Sequence, residues 1–237
     1  MATYVMSDIH GQLNSFHSMI DKIGLDKEKD TLYLLGDYVD WGQDGVGVIQ
    51  QIMKMQKDGF SIKCLMGNHE KMMLDVIDNL VLSGEEYQEC VDIWYRNMGE
   101  DTHRLMMCLD NKERDNIIAW LRALNITYPI TVGGRDYILC HASPWLEDMD
   151  VDYMLNARYD PVAFSNAVRD TCPNTTMICG HTIVYDFKSV DDTMKCKIYR
   201  CSPYLIYIDC GAKVLGLKRY ARLGCLRLDD LAEFYTE

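Results

Sequence analysis

Three times between Thr3 and Asn79 the chain passes from a short apolar, β-prone run into a polar loop and then into helical periodicity. Thr3 to Met6 runs into Ser7-Asp8-Ile9-His10-Gly11. Thr31 to Leu35 runs into Gly36-Asp37-Tyr38-Val39-Asp40-Trp41-Gly42, and Ser61 to Met66 into Gly67-Asn68-His69-Glu70. Apolar residues at helical spacing follow each loop: Leu13, Phe16, Met19, Ile20 and Ile23, then Val48, Ile49, Ile52 and Met53, then Met72, Met73, Val76, Ile77 and Leu80. Gly24 is placed to stop the first helix, and the second ends near Gly59. Strand, loop and helix in this succession are the pattern of a largely parallel sheet. The polar loops then lie at the carboxyl ends of the strands, where open α/β sheets usually bind their ligands.

The remainder reads more variously. Residues 84–125 are predominantly helical, with Pro129 closing the segment, and they carry no metal-ligand spacing. They are expected either to shape a cleft or simply to pack. Ile130 to Val132, Gly133-Gly134 and Tyr137 to Cys140 predict a hairpin that delivers His141. A helical or irregular stretch over 147–171 contains Arg158. A strand over Thr175 to Cys179 delivers Gly180-His181-Thr182, and further strands are expected near 197–200, 204–209 and 224–228. No Pro/Gly/Ser-rich linker interrupts the chain, so residues 1–237 are expected to form a single domain with a helical insert at about 84–125.

Composition narrows the function classes. The net charge of −12 argues against non-specific nucleic acid binding, which needs a basic face. It says little about phosphorylated substrates, because bound cations can invert the local field. The ten cysteines include no C-x-x-C pair, which argues against a zinc knuckle or a thioredoxin-like site. Met1 to Ser7 have neither the basic nor the apolar region of a leader, and no apolar run approaches the ~20 residues of a membrane span. The expectation is a cytoplasmic protein with reduced thiols and no membrane or nucleic acid partner.

Four of the six histidines, His10, His69, His141 and His181, follow predicted strands within or beside glycine-containing loops. Asp8, Asp37, Asp40 and Asn68 share the first three of these strand ends. A lone aspartate there is ordinarily a turn residue, and a lone histidine a hydrogen-bonded packing residue. Five such loops in succession are hard to obtain from turn chemistry alone. Imidazole with carboxylate and carboxamide oxygen, and no thiolate, suits a borderline or hard divalent ion: Mn²⁺ first, with Fe²⁺ or Zn²⁺ as alternatives. Two such ions sharing a carboxylate can clamp a phosphoryl oxygen and acidify a water between them.

As a set, Asp8-Ile9-His10-Gly11, Gly36-Asp37-Tyr38-Val39-Asp40-Trp41-Gly42, Gly67-Asn68-His69-Glu70, His141 and Gly180-His181-Thr182 resemble the calcineurin-like metallophosphoesterases. Within them they are most similar to the phosphoprotein phosphatase family and its bacterial and phage serine/threonine phosphatases. The resemblance implies an α/β fold, a β-sandwich flanked by helices, and two divalent metal ions. Asp8, His10 and Asp37 would hold the first ion, and Asp37, Asn68, His141 and His181 the second. His69 would be the general acid, oriented and kept protonated by Asp40, and Arg158 would bind phosphate oxygens. The implied reaction is hydrolysis of phosphate monoesters by water activated between the ions. Phosphoserine or phosphothreonine in a protein, or a small phosphoester, would be the substrate. The alternative is symmetrical hydrolysis of dinucleoside polyphosphates such as diadenosine tetraphosphate. A binding protein that kept the fold and lost activity is the lesser reading, since every metal and acid position is filled.

Two positions depart from the family pattern. Ser7 replaces a glycine, a small-for-small change. Trp41 replaces an arginine that grips phosphate, and an indole offers one N–H and no charge. Trp41 is therefore expected either to line the pocket and offer its ring to an aromatic or apolar leaving group, with Arg158 as the main phosphate clamp, or only to pack the loop. Trp94-Tyr95-Arg96-Asn97 with Gly99 and Thr102 resembles an insert of some bacterial relatives and would border the cleft. The basic group Lys213, Lys218, Arg219 and Arg222 could steer an anion, although such groups more often form a solvated face.

Overall fold

The computed structural model describes residues 1–79, 84–144, 150–187, 190–191 and 195–237. Alternation of side chains along the first strands decides the layering. In β1 (Thr3–Met6), Val5 faces one way while Tyr4 and Met6 face the other, as the two-residue period of a strand requires. β1 pairs in parallel with β2 (Thr31–Leu34), and β2 with β3 (Ser61–Cys64). The crossovers are α1 (Leu13–Ile23) and α2 (Gly45–Lys57). Gly24 ends α1 in the left-handed conformation, as expected, with its N–H returned to Ile20 and Asp21 carbonyls. α2 begins three residues before Val48, because the Asp44 side chain accepts from Gly47 N and caps it there. α3 (Asn68–Asn79) leaves the third loop, and Leu80, the last apolar position predicted for it, lies outside the described residues.

This first sheet is less parallel than the sequence pattern implies. β9 (Gly224–Arg227) pairs antiparallel with β1, and β10 (Ala232–Tyr235) antiparallel with β9, giving the order β10-β9-β1-β2-β3. β10 was not anticipated. Ala-Glu-Phe-Tyr is a four-residue edge strand, too short to show a clear period. The second sheet has the order β4-β5-β6-β8-β7, from β4 (Thr127–Val132), β5 (Arg135–Cys140), β6 (Thr175–Cys179), β8 (Leu205–Tyr207) and β7 (Tyr199–Ser202). β4 and β5 form the expected hairpin, and Gly133 and Gly134 take the positive φ that its tight turn demands. Pro129 does not close the helical segment as expected. It lies inside β4, which is tolerated because β4 is an edge strand and the missing N–H can face outward.

The inner faces of the two sheets meet in a core containing Val5, Leu35 and Leu226 from the first side and Leu139, Ile178 and Ile206 from the second. On the outer face of the first sheet, Met6, Leu32 and Leu34 pack with Phe16 of α1 and Ile49 and Ile52 of α2. On the outer face of the second, Met177, Leu205 and Tyr207 pack with Phe164 and Val168 of α8 (Pro161–Thr171). The result is helix, sheet, sheet, helix. The insert resolves into α4 (Glu85–Arg96), α5 (Glu100–Cys108) and α6 (Asn111–Arg122), and the short α7 (Val151–Asn156) precedes α8. All ten cysteines are free thiols, and no helix among the described residues is long and apolar enough to cross a membrane.

Candidate metal centre

β1, β2 and β3 run in one direction, so their carboxyl ends deliver Asp8 and His10, Asp37 and Asp40, and Asn68 and His69 to one edge of the sandwich. β5 and β6, also mutually parallel, deliver His141 and His181 to the same place. The first two loops are laced together: His10 N donates to Asp37 O at 2.9 Å and Gly11 N to Tyr38 O at 2.8 Å. The turns are sharp enough that Asp8, His10, Asp37, Asp40 and His181 all hold φ between 47 and 67°. Non-glycine residues rarely adopt this left-handed region, and such strain gathers at functional sites. Close approach dictates two glycines: a Cβ on Gly67 would overlap Asp37 Oδ1, and one on Gly180 would overlap Ser7 Oγ and Asp8 Oδ2.

Asp37 is the hub. Only 2% exposed, it lies with Oδ2 3.4 Å from His10 Nε2 and 3.9 Å from His69 Nε2, and with Oδ1 3.4 Å from His141 Nε2. Burial opposes its charge, but the histidines around it, His141 and His69 foremost, outweigh that and hold its pKa well below the usual carboxylate range. Asn68 Oδ1 lies 3.0 Å from His141 Nε2 and 3.1 Å from His181 Nδ1.

The rings are aimed from behind. His10 Nδ1 is committed to Val39 O at 3.1 Å, and His141 Nδ1 to Leu35 O at 2.8 Å. Their Nε2 atoms therefore carry lone pairs inward when the rings are neutral. His10 Nε2 is buried with no hydrogen-bond partner, and His141 Nε2 faces the oxygens of Asn68 and Asp37. Lone pairs turned toward the two oxygens of Asp37, each ring fixed by a hydrogen bond to its other nitrogen, form an arrangement that a cation on each side resolves. Burial lowers the pKa of His10 well below normal and is the largest cause lowering that of His181 to about 3, the direction that favours the neutral, ligating form.

Two donor groups emerge, each with its atoms within 4.8 Å of one another: His10, Asp37 and His69, and Asp37, His141 and His181. They share Asp37. The family pattern puts Asp8, not His69, beside His10, and here Asp8 Oδ1 stands 3.9 Å from His10 Nε2. The Asp8 carboxylate is held by the Ser7 hydroxyl and by His181 N, which donates to both its oxygens at 3.0 Å. His69 differs from the other rings because its Nδ1 is bound to Asp40 Oδ2 at 2.7 Å. Burial alone would lower its pKa, but the charge of Asp37 and the hydrogen bond to Asp40 raise it to about 8.

The helical insert contributes here in a way the sequence did not reveal. Trp94 Nε1 donates to Asp40 Oδ2 at 2.9 Å, and Asp40 N donates to Thr102 Oγ1 at 3.1 Å. α4 thus holds the carboxylate that orients His69, and α5 holds the backbone of the same residue. Gly99 between them has no room for a side chain, because a Cβ would enter the Trp94 ring. Glu70 was likewise quoted only as part of a motif. It is fully buried, and each of its oxygens accepts two amides: Oε2 from Asp37 and Gly67, and Oε1 from Tyr38 and Val39. Burial and the charge of Asp37 push its pKa up to about 7 against these donors. Asp209 was missed altogether. It is buried, with Oδ1 accepting from Gly211 N at 2.8 Å and Oδ2 without a partner. Its signal was present: an aspartate ending the apolar run Leu205 to Ile208 repeats the strand-end pattern of the other loops.

Two expected substrate contacts lie at the margin. Arg158 is exposed, and its Nε donates to His181 Nε2 at 3.4 Å. Trp41 follows Asp40 in the left-handed conformation, is 37% exposed, and carries the Lys213 ammonium 5.8 Å from its ring centroid.

With this geometry in hand, comparisons with known proteins are informative. The model of the calcineurin-like phosphoesterase family matches residues 1–185. The symmetrical bis(5'-nucleosyl)-tetraphosphatase of Proteus mirabilis (strain HI4320) is 29% identical over 122 residues, 52% of this chain and 38% of that protein. The chain spans less than half the length of the curated relatives it matches. A serine/threonine phosphatase from Saccharomyces cerevisiae superposes with a TM-score of 0.62 at 11% identity, covering 96% of this chain and 72% of that one. The cold-active protein-tyrosine phosphatase of a Shewanella species does so at 0.57 and 16% identity, covering 100% and 80%. At such identities the superpositions speak for the fold alone.

Glu70→Gln tests the anchor of the two ligand loops. Either orientation of the amide turns an NH₂ toward two backbone donors, so stability should fall by about 3 kcal/mol. Urea denaturation followed by circular dichroism measures this, and an unmoved midpoint would show that the loops hold without it.

Proposed function

The chain belongs to the calcineurin-like phosphoesterases, and from that premise we propose that it hydrolyses symmetrical dinucleoside polyphosphates at a pair of divalent cations. The observation that carries the metal chemistry is the sharing of Asp37 by two converging donor groups. The substrate reading rests on the 29% identity to symmetrical bis(5'-nucleosyl)-tetraphosphatases. Sequence motifs alone put a phosphoserine or phosphothreonine protein first. That is now the second reading, favoured by the likeness of the five loops to the phosphoprotein phosphatases.

In this proposal Asp8, His10 and Asp37 hold one cation and Asp37, Asn68, His141 and His181 the other, with Mn²⁺ the first choice for an oxygen- and imidazole-rich site. Bound there, the pair would supply Lewis acidity toward the phosphoryl oxygens and an attacking water.

The chain's own residues do the rest. The φ-strained loops keep the donors preorganised, so little rearrangement accompanies reaction. Asp37 carries the negative charge common to both donor groups. Arg158, beside His181, is exposed and can donate to phosphate oxygens, which its planar fork suits. His69 holds a proton on Nε2 while Nδ1–H stays on Asp40, which makes it the donor to the leaving oxygen. Trp94 and Thr102 fix Asp40 and so the plane of the His69 ring. How much this proton matters depends on the leaving group. An alkoxide requires it, whereas a nucleoside diphosphate, whose terminal phosphate has a second pKa near 6, departs readily without it.

Three measurements follow. Purified protein supplied with Mn²⁺ should cleave diadenosine tetraphosphate to two diphosphates faster than it dephosphorylates a phosphoserine protein. The opposite order would return the phosphoprotein reading to first place. Asp37→Asn should lower kcat by at least about a hundredfold and reduce bound metal by elemental analysis while the thermal melt stays cooperative. Near-normal turnover would remove Asp37 from the centre. His69 acts in its protonated form, so activity is present below its pKa and lost as pH rises through it. Asp40→Asn deletes a contribution that raises that pKa. The alkaline limb of kcat for phenyl phosphate should therefore move to lower pH, and an unmoved limb would separate Asp40 from the acid.

A further inference from the structure

The position where the family carries a phosphate-gripping arginine holds Trp41, yet the site is not left with Arg158 as its only cation. Lys213 is half-buried, and its ammonium makes no hydrogen bond or ion pair among the described residues. Without a direct ion pair, its charge still reaches two buried carboxylates, Asp209 and Asp8, whose pKa values it lowers. The ammonium lies over the face of Trp41, 5.8 Å from the ring centroid.

The turn that carries Lys213 is built into the site. Asp209 Oδ1 accepts from Gly211 N at 2.8 Å, and Gly211 takes a left-handed φ of 85°. A 3-10 turn over Ala212–Val214 follows directly. The same strand end is tied to the segment after His181, since Val184 N donates to Asp209 O at 3.0 Å. The Lys213 charge is felt at Asp8, at His10 and at His181, whose pKa values it lowers. By contrast, Lys218 on the same segment is exposed and sits over Tyr185.

Position then suggests what Lys213 meets. Trp41 is the residue after Asp40, and Asp40 holds His69, the proposed donor to the leaving oxygen. With His69 as the donor, the leaving group would stand toward the loop that carries Asp40 and Trp41, whereas Arg158 lies beside His181. A monoester's leaving group is a neutral alcohol and has nothing to offer an ammonium there. A leaving group that is itself a phosphate brings formal negative charge to it.

We propose that Lys213, carried on the face of Trp41, is a specificity-determining cation that binds the leaving-group phosphate and so selects polyphosphate chains over lone phosphate monoesters. This rests on the phosphoesterase reading above and deepens it. The missing arginine's charge is supplied from the far end of the chain, with tryptophan as its support.

The test measures binding of inorganic tripolyphosphate and of orthophosphate to the Mn²⁺-loaded protein by calorimetry. In Lys213→Met the ratio of tripolyphosphate to orthophosphate affinity should fall about tenfold, as loss of one charge-assisted contact implies. Lys213→Arg should restore most of it, and Lys218→Met should not change it. A ratio unchanged in Lys213→Met, or lowered equally by Lys218→Met, overturns the proposal. If the ratio depends on Lys213 while the wild-type protein leaves diadenosine tetraphosphate uncut, the role of Lys213 stands and the nucleotide reading of the function falls.

Discussion

A carboxylate held among imidazoles in a nearly dry site is the interaction on which this architecture turns. Asp37 lies 3.4 Å from both His10 and His141 and 3.9 Å from His69, at 2% exposure. Removing a charge from water costs several kcal/mol unless opposite charge or hydrogen bonds compensate. His69 N donates to Asp37 Oδ1 at 3.1 Å, and the surrounding rings favour the charged form. Two of the rings, His10 and His141, are fixed by backbone carbonyls, so the site is aimed by the fold and not by side-chain choice alone.

That cluster imposes demands on the layers beneath it. Five loops must end at one edge, which parallel strands achieve and a simple meander would not. The left-handed backbone at Asp8, His10, Asp37, Asp40 and His181 has to be held against its intrinsic preference. Glu70 meets part of this by accepting four amides from two loops at once. A buried acid used as a backbone anchor beside a candidate metal ligand is effective because each of its oxygens can accept two donors. The insert supplies a second restraint from outside the sandwich, where Trp94 and Thr102 reach Asp40.

The margin of the site is where phosphoesterases of this architecture can diverge. Trp41 removes a fixed guanidinium, and Lys213 brings a mobile ammonium to the same surface. The two are not equivalent. A guanidinium binds two phosphate oxygens in a fixed plane, while an ammonium is a point charge on a flexible stem. The second arrangement suits a chain of phosphates better than one precisely oriented group.

Much of this was legible in the residues themselves. Short apolar, β-prone runs ending in Gly, Asp, His or Asn located β1, β2, β3, β5 and β6, because strand propensity and turn chemistry are local. The Gly133-Gly134 hairpin and the Gly24 cap were readable for the same reason. Pro129 misled, since whether a proline breaks a segment depends on which strand edge is left unpaired, and that is settled only when sheets assemble. β10 was invisible because an edge strand needs little sequence signal. The ties from Trp94 to Asp40, from Glu70 to four amides and from Lys213 to Trp41 span 31 to 172 residues or only a turn, and no spacing rule links them. The sequence by itself determined which groups stand at the strand ends and what ions and chemistry they suit. Only the tertiary structure decided which of them meet, because burial, ring orientation and the field at each group arise from contacts between distant segments.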